Sequence, residues 1–598
     1  MHYRREIDGL RTIAVLPVLF SHAGFAFFQG GFLGVDVFFV ISGYLITGII
    51  HDEIANGTFS FRRFYERRIR RILPALYVVM VASLVAGWFL MSADAYQNLG
   101  QSLFATTAFS NNILLTRTSG YWDMESSFKP LLHTWSLGVE EQYYFIVPVV
   151  ILAISRYFRD RAALSMALIG AASFLACLYL YQRFPAANFY LLPTRAWELA
   201  VGGWAATIRL PERNSAALSG FGFVLVIATM VLLPEGYPTP SQITVLPVAG
   251  TVLVLMYCRS SGPVYRLLTS SPFVAVGLIS YSMYLWHQPL FAFLRIASSE
   301  TPPLWQFGVM IVLTIILATL SWKYIEAPFR DRSRLSFRAA LWIVAPASVL
   351  LLAAGLLLHL SGGLPQRFDV APGSEPAGSY APYNDRVFAD YKRDAFAGLS
   401  ATRLLVLGNS QGRDFVNMVK AANAFVGYEV VYRDDLNLCA PARLNTAQRQ
   451  LVATATLIVK VYDHVVSPEC DSRVLARRSD LRGRIVFVGP KDFGVNINPV
   501  ARLDMADRPS ATVRLSAAAF AANRYYRSIT PRELYVDLIS ALSPDGVRMP
   551  IYDEDGRILS EDRVHLTRAG ARYVGMRIFR DPIWSGWPGV DSISGKRG

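Results

Sequence analysis

The stretch AALWIVAPASVLLLAAGLLLHL (339–360) runs straight into SGGLPQRFDVAPGSEPAGSYAPYNDRVFADYKRDA (361–395). The first segment carries no Asp, Glu, Lys or Arg. As a helix it would be about 33 Å long, enough to cross a hydrocarbon core of about 30 Å. The second is rich in Gly, Pro, Ser and Asp and reads as a linker. This junction divides the chain into an apolar part before it and a part of different character after it.

Working back from the junction, apolar runs of roughly 17–25 residues recur. They lie at 9–28, 34–52, 73–92, 140–156, 162–181, 194–209, 216–234, 241–258, 274–296 and 304–323. The expected architecture is therefore a polytopic α-helical membrane domain of about ten spans over 1–335, then one linking span at 336–362. A linker over 363–398 leads to a soluble domain at 399–598. The composition agrees. Of 598 residues, 53% are hydrophobic and 17% charged, against about 25% charged in a soluble chain. That excludes a disordered, coiled-coil or collagen-like protein and argues against an all-soluble enzyme. The first run follows Arg4 and Arg5 and reads as a retained span.

The net charge is +14, from 58 Lys and Arg against 44 Asp and Glu. Basic residues cluster between alternate spans: Arg62 to Arg71, Arg156, Arg159 and Arg161, Arg209 and Arg213, Arg259 and Arg266, and Lys323 to Arg338. With the N-terminus in the cytoplasm, roughly twenty such charges lie inside against three outside. This places the C-terminal domain outside and accounts for the positive charge without nucleic acid. Four cysteines lack the spacing of a zinc site or a disulfide scaffold, and no metal is expected. For Cys439 and Cys470, in a compartment that permits disulfides, a bridge and two free thiols both stay open.

From about residue 400, short apolar segments alternate with helical ones. RLLVLGN (403–409), YEVVYRD (428–434), TLIVKVYD (456–463), RIVFVGP (484–490) and LYVDLIS (534–540) read as strands. DFVNMVKAANAF (414–425), ATVRLSAAAFAANRYYRSI (511–529) and TRAGARYVGMRIF (567–579) read as helices. That alternation predicts an α/β domain with a parallel sheet covered on both faces.

Ionisable residues within spans are expensive, so each is a candidate for function. Arg11 and His22 lie on the first run, about 16 Å apart along a helix. Asp36 opens the second, Glu140 and Glu141 open the fourth after His133, Arg195 and Glu198 share the sixth, His287 lies in the ninth and Glu326 just beyond the tenth. A neutral imidazole can serve as a general base on a hydroxyl or carry an acyl group. The Arg67, Arg68 and Arg71 cluster suits phosphates, which guanidinium groups bind bidentately; it also fits plain topology signalling. Glu140 and Glu141 suit orienting a histidine, or a helix start favoured by its dipole.

These residues fall in dense local clusters: DGLR (8–11), GGFLGVDVFFVISGYLIT (30–47), FYERRIRRILPAL (64–76), HTWSLGVEEQYYF (133–145), TRAWELAVGG (194–203), YSMYLWHQPL (281–290) and KYIEAPFR (323–330). In that order they resemble the acyltransferase family 3 of integral membrane enzymes, over 1 to about 335. The resemblance implies transfer of an acyl group, usually acetyl, from cytoplasmic acetyl-CoA to a sugar on the outer side. It implies His22 as the catalytic imidazole, assisted by Glu140 and Glu141. The family's arginine–histidine motif maps onto Arg11 and His22, and Arg11 with the Arg67, Arg68 and Arg71 cluster at the cytoplasmic face is where coenzyme A is expected to dock.

In the outer domain RLLVLGN runs into Ser410, at a strand-to-helix turn where a nucleophile and an oxyanion donor sit well. EDRVHLTRAGARY (561–573) holds Asp562 and His565 three residues apart, so one turn presents both. A G-x-S near the start and D-x-x-H near the end resemble the SGNH hydrolase family, which implies a Ser410, His565, Asp562 triad. Two departures stand out. The first block reads GNSQ, and in GPKD (489–492) Lys491 stands where that family carries asparagine; Asn496 or Asn498 is a substitute oxyanion donor.

Together the two resemblances imply an envelope O-acetyltransferase like bacterial O-antigen acetylases, multi-pass in the inner membrane with a periplasmic C-terminal domain. Its partners would be acetyl-CoA, the lipid bilayer and an envelope glycan such as lipopolysaccharide O-antigen or exopolysaccharide. Three other readings stay open: direct acetylation by the membrane half with an accessory outer domain, an esterase, and a transporter with a glycan-binding domain.

Overall fold

The computed structural model describes residues 3–118, 126–157, 161–208, 214–234, 236–368, 371–375, 379–465, 468–587 and 589–590. Arg159, Arg209 and Arg213, parts of the linker (369–370 and 376–378) and 591–598 lie outside the described residues. The chain forms two compact units. The first comprises Met1–Phe89, Asn98–Arg295 and Pro302–His359; the second comprises Leu90–Gln97, Ile296–Thr301 and Leu360–Gly598.

In the first unit every apolar run falls on a helix. In chain order these are α1 (Arg5–His22), α2 (Gly34–Ala55), α3 (Phe61–Leu90), α4 (Thr134–Tyr157), α5 (Ala162–Leu180) and α6 (Leu192–Thr207). They continue as α7 (Ala216–Leu232), α8 (Val245–Tyr257), α9 (Ser271–Ala297), α10 (Leu304–Ser321) and α11 (Phe337–Leu360). Among the described residues, six helical segments are long and apolar enough to cross a membrane: Ala26–Ala55, Phe61–Leu90, Thr134–Tyr157, Ala162–Leu180, Leu304–Arg330 and Phe337–Leu360. The other runs fall short for physical reasons. Arg5, Glu6, Asp8 and Arg11 load α1 with charge, α6 has 16 residues, and polar Ser280, Ser282, His287 and Gln288 interrupt α9.

Two glycines let helices approach backbone to backbone. A Cβ on Gly277 of α9 would stand 1.9 Å from the Asp8 carbonyl of α1, and one on Gly43 of α2 would stand 1.9 Å from the Leu199 carbonyl of α6. Small residues at helix crossings permit this packing. The first contact lays α9 alongside α1. The second brings Asp36 of α2 to Arg195 of α6, whose guanidinium lies 3.1 Å from Asp36 and 3.0 Å from Glu198, with all three buried.

The second unit is built on five parallel strands: β1 (Arg403–Leu407), β2 (Glu429–Arg433), β3 (Leu457–Val461), β4 (Ile485–Val488) and β5 (Tyr535–Val536), in the order β2-β1-β3-β4-β5. Successive β1 side chains serve opposite cores. Leu404 and Val406 pack with Phe415, Val419 and Val574; Leu405 and Leu407 pack with Leu451, Leu475 and Tyr526. Both faces are therefore covered, which is why the strands read as continuous apolar runs.

Two segments differ from expectation. LYVDLIS is a strand only at Tyr535–Val536, because Asp537 accepts from the Ser540 amide and starts a helix at Leu538. At 512–514 the chain is a strand, Thr512–Arg514, paired antiparallel with Arg548–Pro550. The helix begins at Ala517, after Ser516 caps it by accepting from the Ala519 amide. Cys439 and Cys470 form a disulfide.

Candidate functional site

In the second unit the chain leaves β1 for β2 on one side and later returns to β3 on the other. Such a switch point opens a crevice at the carboxyl ends of the strands, where α/β sheets bind ligands. Ser410 stands there, as the first residue of α12 (Ser410–Ala421). Asn409 caps that helix by accepting from the Gln411 amide at 3.0 Å and donates to Asp463 beyond β3 at 2.6 Å. Ser410 is 1% exposed, and its Oγ has no hydrogen-bond partner among the described residues.

Asp562 and His565 share one turn. The carboxylate accepts from the His565 amide at 2.7 Å, from the Val564 amide at 3.0 Å and from His565 Nδ1. Arg563 between them has φ 72°, a left-handed conformation that an L side chain adopts at a strain penalty. Burial pushes the Asp562 carboxyl up, but the bond and charge of His565 and the two amides outweigh it. The carboxyl lies below the ordinary value. The bond from Nδ1 to Asp562 fixes the ring's orientation and leaves Nε2 on the edge away from the carboxylate.

Lys491 does something the sequence did not suggest. Its Nζ, wholly buried, lies 2.5 Å from Asp414 on α12, donates to Gln411 Oε1 at 2.6 Å and donates to the Val564 carbonyl at 2.5 Å. The Leu566 amide also donates to Asp414. One ammonium and one carboxylate thus stitch the helix that begins at Ser410 to the turn that carries His565. Asn496 and Asn498, the expected substitute oxyanion donors, spend their amide groups elsewhere. Asn496 donates to the carbonyls of Ile296 and Ser298, Asn498 Nδ2 donates to Asn496, and Asn498 Oδ1 accepts from the Ser92 amide.

In the first unit a cavity is lined by Arg11, Ser42, Arg71, His133, Glu140, Tyr281 and Tyr284, among others. His133 is buried, and both its ring nitrogens lack a hydrogen-bond partner among the described residues. The expected arginine cluster divides. Arg71 lines the cavity and Arg11 reaches it while paired with Asp8 at 2.7 Å. Arg68 is committed to Glu141 at 2.5 Å and lies over the Tyr144 ring. Arg67, with 39% of its side chain exposed, pairs with Glu53 at 2.9 Å. Arg67 and Arg68 point apart because consecutive helical residues differ by about 100°.

Neither glutamate is hydrogen-bonded to a histidine among the described residues: Glu140 accepts from Ser42 at 2.8 Å and Glu141 holds Arg68. His22 ends α1, half-buried, with Nδ1 3.0 Å from Nε2 of His287 on α9. The His287 ring stacks on His22 and meets His133 edge to face.

Comparison with known proteins fits the first unit. The family model described as an acyltransferase domain matches residues 4–323. "Putative peptidoglycan O-acetyltransferase YrhL" of Bacillus subtilis is 31% identical over 362 residues, 57% of this chain and 57% of that protein. "Peptidoglycan O-acetyltransferase OatA" of Listeria monocytogenes is 30% identical over 355 residues, 56% of this chain and 57% of that protein. "Putative membrane-bound transacylase BcsY" of Komagataeibacter xylinus is 34% identical over 291 residues, 48% of this chain and 72% of that protein. The chain thus spans little more than half the length of the first two relatives. No solved structure matches the chain. Since the matched domain covers more than half of the 598 residues, the chain belongs to this acyltransferase family.

Proposed function

We propose that the chain is a membrane O-acyltransferase that moves an acetyl group from cytoplasmic acetyl-CoA to a hydroxyl of a cell-envelope polysaccharide, with Ser410 as the last carrier. The observation that supports this reading is a buried serine hydroxyl and a carboxylate-bound imidazole held in linked elements of the second unit. Ser410 ends the switch-point turn with a partnerless Oγ, and Lys491 and Asp414 stitch its helix to the Asp562–His565 turn. The unit acts as an SGNH-type domain. His565 Nε2 takes the Ser410 proton while Oγ attacks the acyl carbonyl, and gives that proton to the departing donor group as the ester forms, which leaves the imidazole neutral again. His565 then takes the proton of a glycan hydroxyl, whose oxygen displaces Ser410, and returns a proton to Oγ.

In the first unit, Arg71 and Arg11 suit the phosphates of coenzyme A, and the unpartnered His133 nitrogens suit polar atoms of its pantetheine arm. His22 is the reacting imidazole. The charge asymmetry of the loops supports a bacterial inner-membrane protein with the N-terminus inside and the second unit in the periplasm. Lipopolysaccharide O-antigen or an exopolysaccharide fits that topology; the first two relatives carry peptidoglycan in their names.

The test is glycan O-acetyl content and acetyl-CoA consumption in cells carrying wild type, His22→Ala or Ser410→Ala. Loss of glycan acetylation in both, with acetyl-CoA consumption surviving only in Ser410→Ala, is the expected result. Unchanged glycan acetylation in Ser410→Ala overturns the relay. The near-complete burial of Ser410 favours the second reading in that case: the first unit acetylates the glycan itself and the second is an accessory.

A further inference from the structure

Three histidines of the first unit meet although they lie far apart in the chain. His287 is 0% exposed, and each of its ring nitrogens has a partner. Nδ1 lies 2.6 Å from the backbone carbonyl of Tyr284, one turn earlier on α9. A carbonyl only accepts, so Nδ1 of His287 carries a proton and donates it. A neutral imidazole has one N–H, so Nε2 of His287 holds the lone pair and accepts. The atom facing it at 3.0 Å is Nδ1 of His22, which therefore donates. The remaining nitrogen of His22, Nε2, is left with the free lone pair. These tautomers are assigned from the acceptor-only carbonyl at the end of the series.

We propose that His287 is the positioning residue of the first unit: it accepts from His22 Nδ1 and so fixes Nε2 as the reactive nitrogen. The proposal rests on the reading of His22 as the reacting imidazole. The backbone around the pair is held as well. Gly277 sets α9 against α1, and Arg295 of α9 donates to the His22 carbonyl at 2.6 Å. The arrangement performs the task of the carboxylate in a serine triad, with one difference. The orienting group is a neutral ring backed by a carbonyl, so it selects the tautomer without supplying negative charge. A neutral substitute with the same donor and acceptor should then serve. Glutamine is that substitute: its amide nitrogen can donate to the Tyr284 carbonyl, and its amide oxygen then accepts from His22.

The experiment compares wild type, His22→Ala, His287→Leu and His287→Gln as full chains in native membranes made permeable to nucleotides, reading release of coenzyme A from acetyl-CoA. His287→Leu is expected to lower kcat about 100-fold, with KM for acetyl-CoA within about twofold, and His287→Gln to recover at least tenfold of the loss. Equal losses in Leu and Gln, or a Leu variant as active as wild type, overturn the proposal.

A second readout is independent of turnover. Diethyl pyrocarbonate modifies an imidazole nitrogen that offers a lone pair. His22 should take one adduct in wild type and in His287→Gln, and a second in His287→Leu, where Nδ1 is released; mass spectrometry of the His22 peptide counts them. One adduct in all variants overturns the proposal. The expected adduct pattern without coenzyme A release in wild type upholds the tautomer assignment and removes the acyltransferase reading instead.

Discussion

The two units of this protein each hold an imidazole whose Nδ1 is tied down, and they do it by opposite means. In the second unit the partner is Asp562, three residues before His565 and fixed in the same turn by two backbone amides. In the first unit the partner of His22 is another imidazole, 265 residues along the chain, on a helix brought near by a glycine. The local pair carries charge and is written as a four-residue pattern. The distant pair is neutral and exists only once α1 and α9 have packed. One device can be recognised by spacing, and the other only by fold.

The contrast can be broken most sharply by the reactive residues themselves. Ser410→Ala should remove glycan O-acetyl groups to background while His22→Ala removes both these and acetyl-CoA consumption; equal behaviour of the two variants merges the sites into one. Next comes the charged orienter. Asp562→Asn should slow labelling of Ser410 by a fluorophosphonate about 10³–10⁴-fold, because the imidazole loses its enforced tautomer. A loss under tenfold would mean that the second unit does not depend on a carboxylate.

A smaller effect tests how the local pair is held. Lys491→Met leaves the Asp414 carboxylate buried without its partner, a change that destabilises by about 3–5 kcal/mol. The urea midpoint for protease resistance of the second unit, within the full chain, should fall. Replacing both residues, with Asp414→Leu added, should restore much of it, since a buried pair is often replaceable by apolar side chains. A midpoint unmoved by Lys491→Met would remove the stitching role.

The smallest effects separate the arginines of α3. Arg71→Ala should raise KM for acetyl-CoA about 10–100-fold, the worth of about 1.5–3 kcal/mol for a bond to a charged group. Arg67→Ala should change it less than about twofold, because its exposed pair with Glu53 is worth about 0–1 kcal/mol. Equal effects would return the whole cluster to coenzyme A.

Much of the fold was legible because its signals are local. Every apolar run of the first unit became a helix, and four strand segments of the second kept most of their length, since burial on both faces leaves an uninterrupted apolar string. LYVDLIS misled because Asp537 caps a helix in the middle of an apolar segment. Thr512–Arg514 misled because its strand partner lies at 548–550, outside any local window. The serine and D-x-x-H pattern were legible at the level of residues. Lys491 read as a missing asparagine, because nothing near it announces Gln411, Asp414 or Val564 as partners. The pairing of His22 with His287 left no trace in spacing, for neither residue has a signal pointing to the other.

The second unit includes Leu90–Gln97 and Ile296–Thr301, short pieces of chain that lie between helices of the first. Asn496 and Asn498 spend their amides on Ser92, Ile296 and Ser298 of those pieces. The second unit is therefore discontinuous: a gene fragment encoding 399–598 contains the whole five-stranded sheet, Ser410, Asp562 and His565 yet omits part of its own fold. Exchanging the second unit between relatives would require these two loops to travel with the graft. A chimera spliced only at the linker would mismatch them.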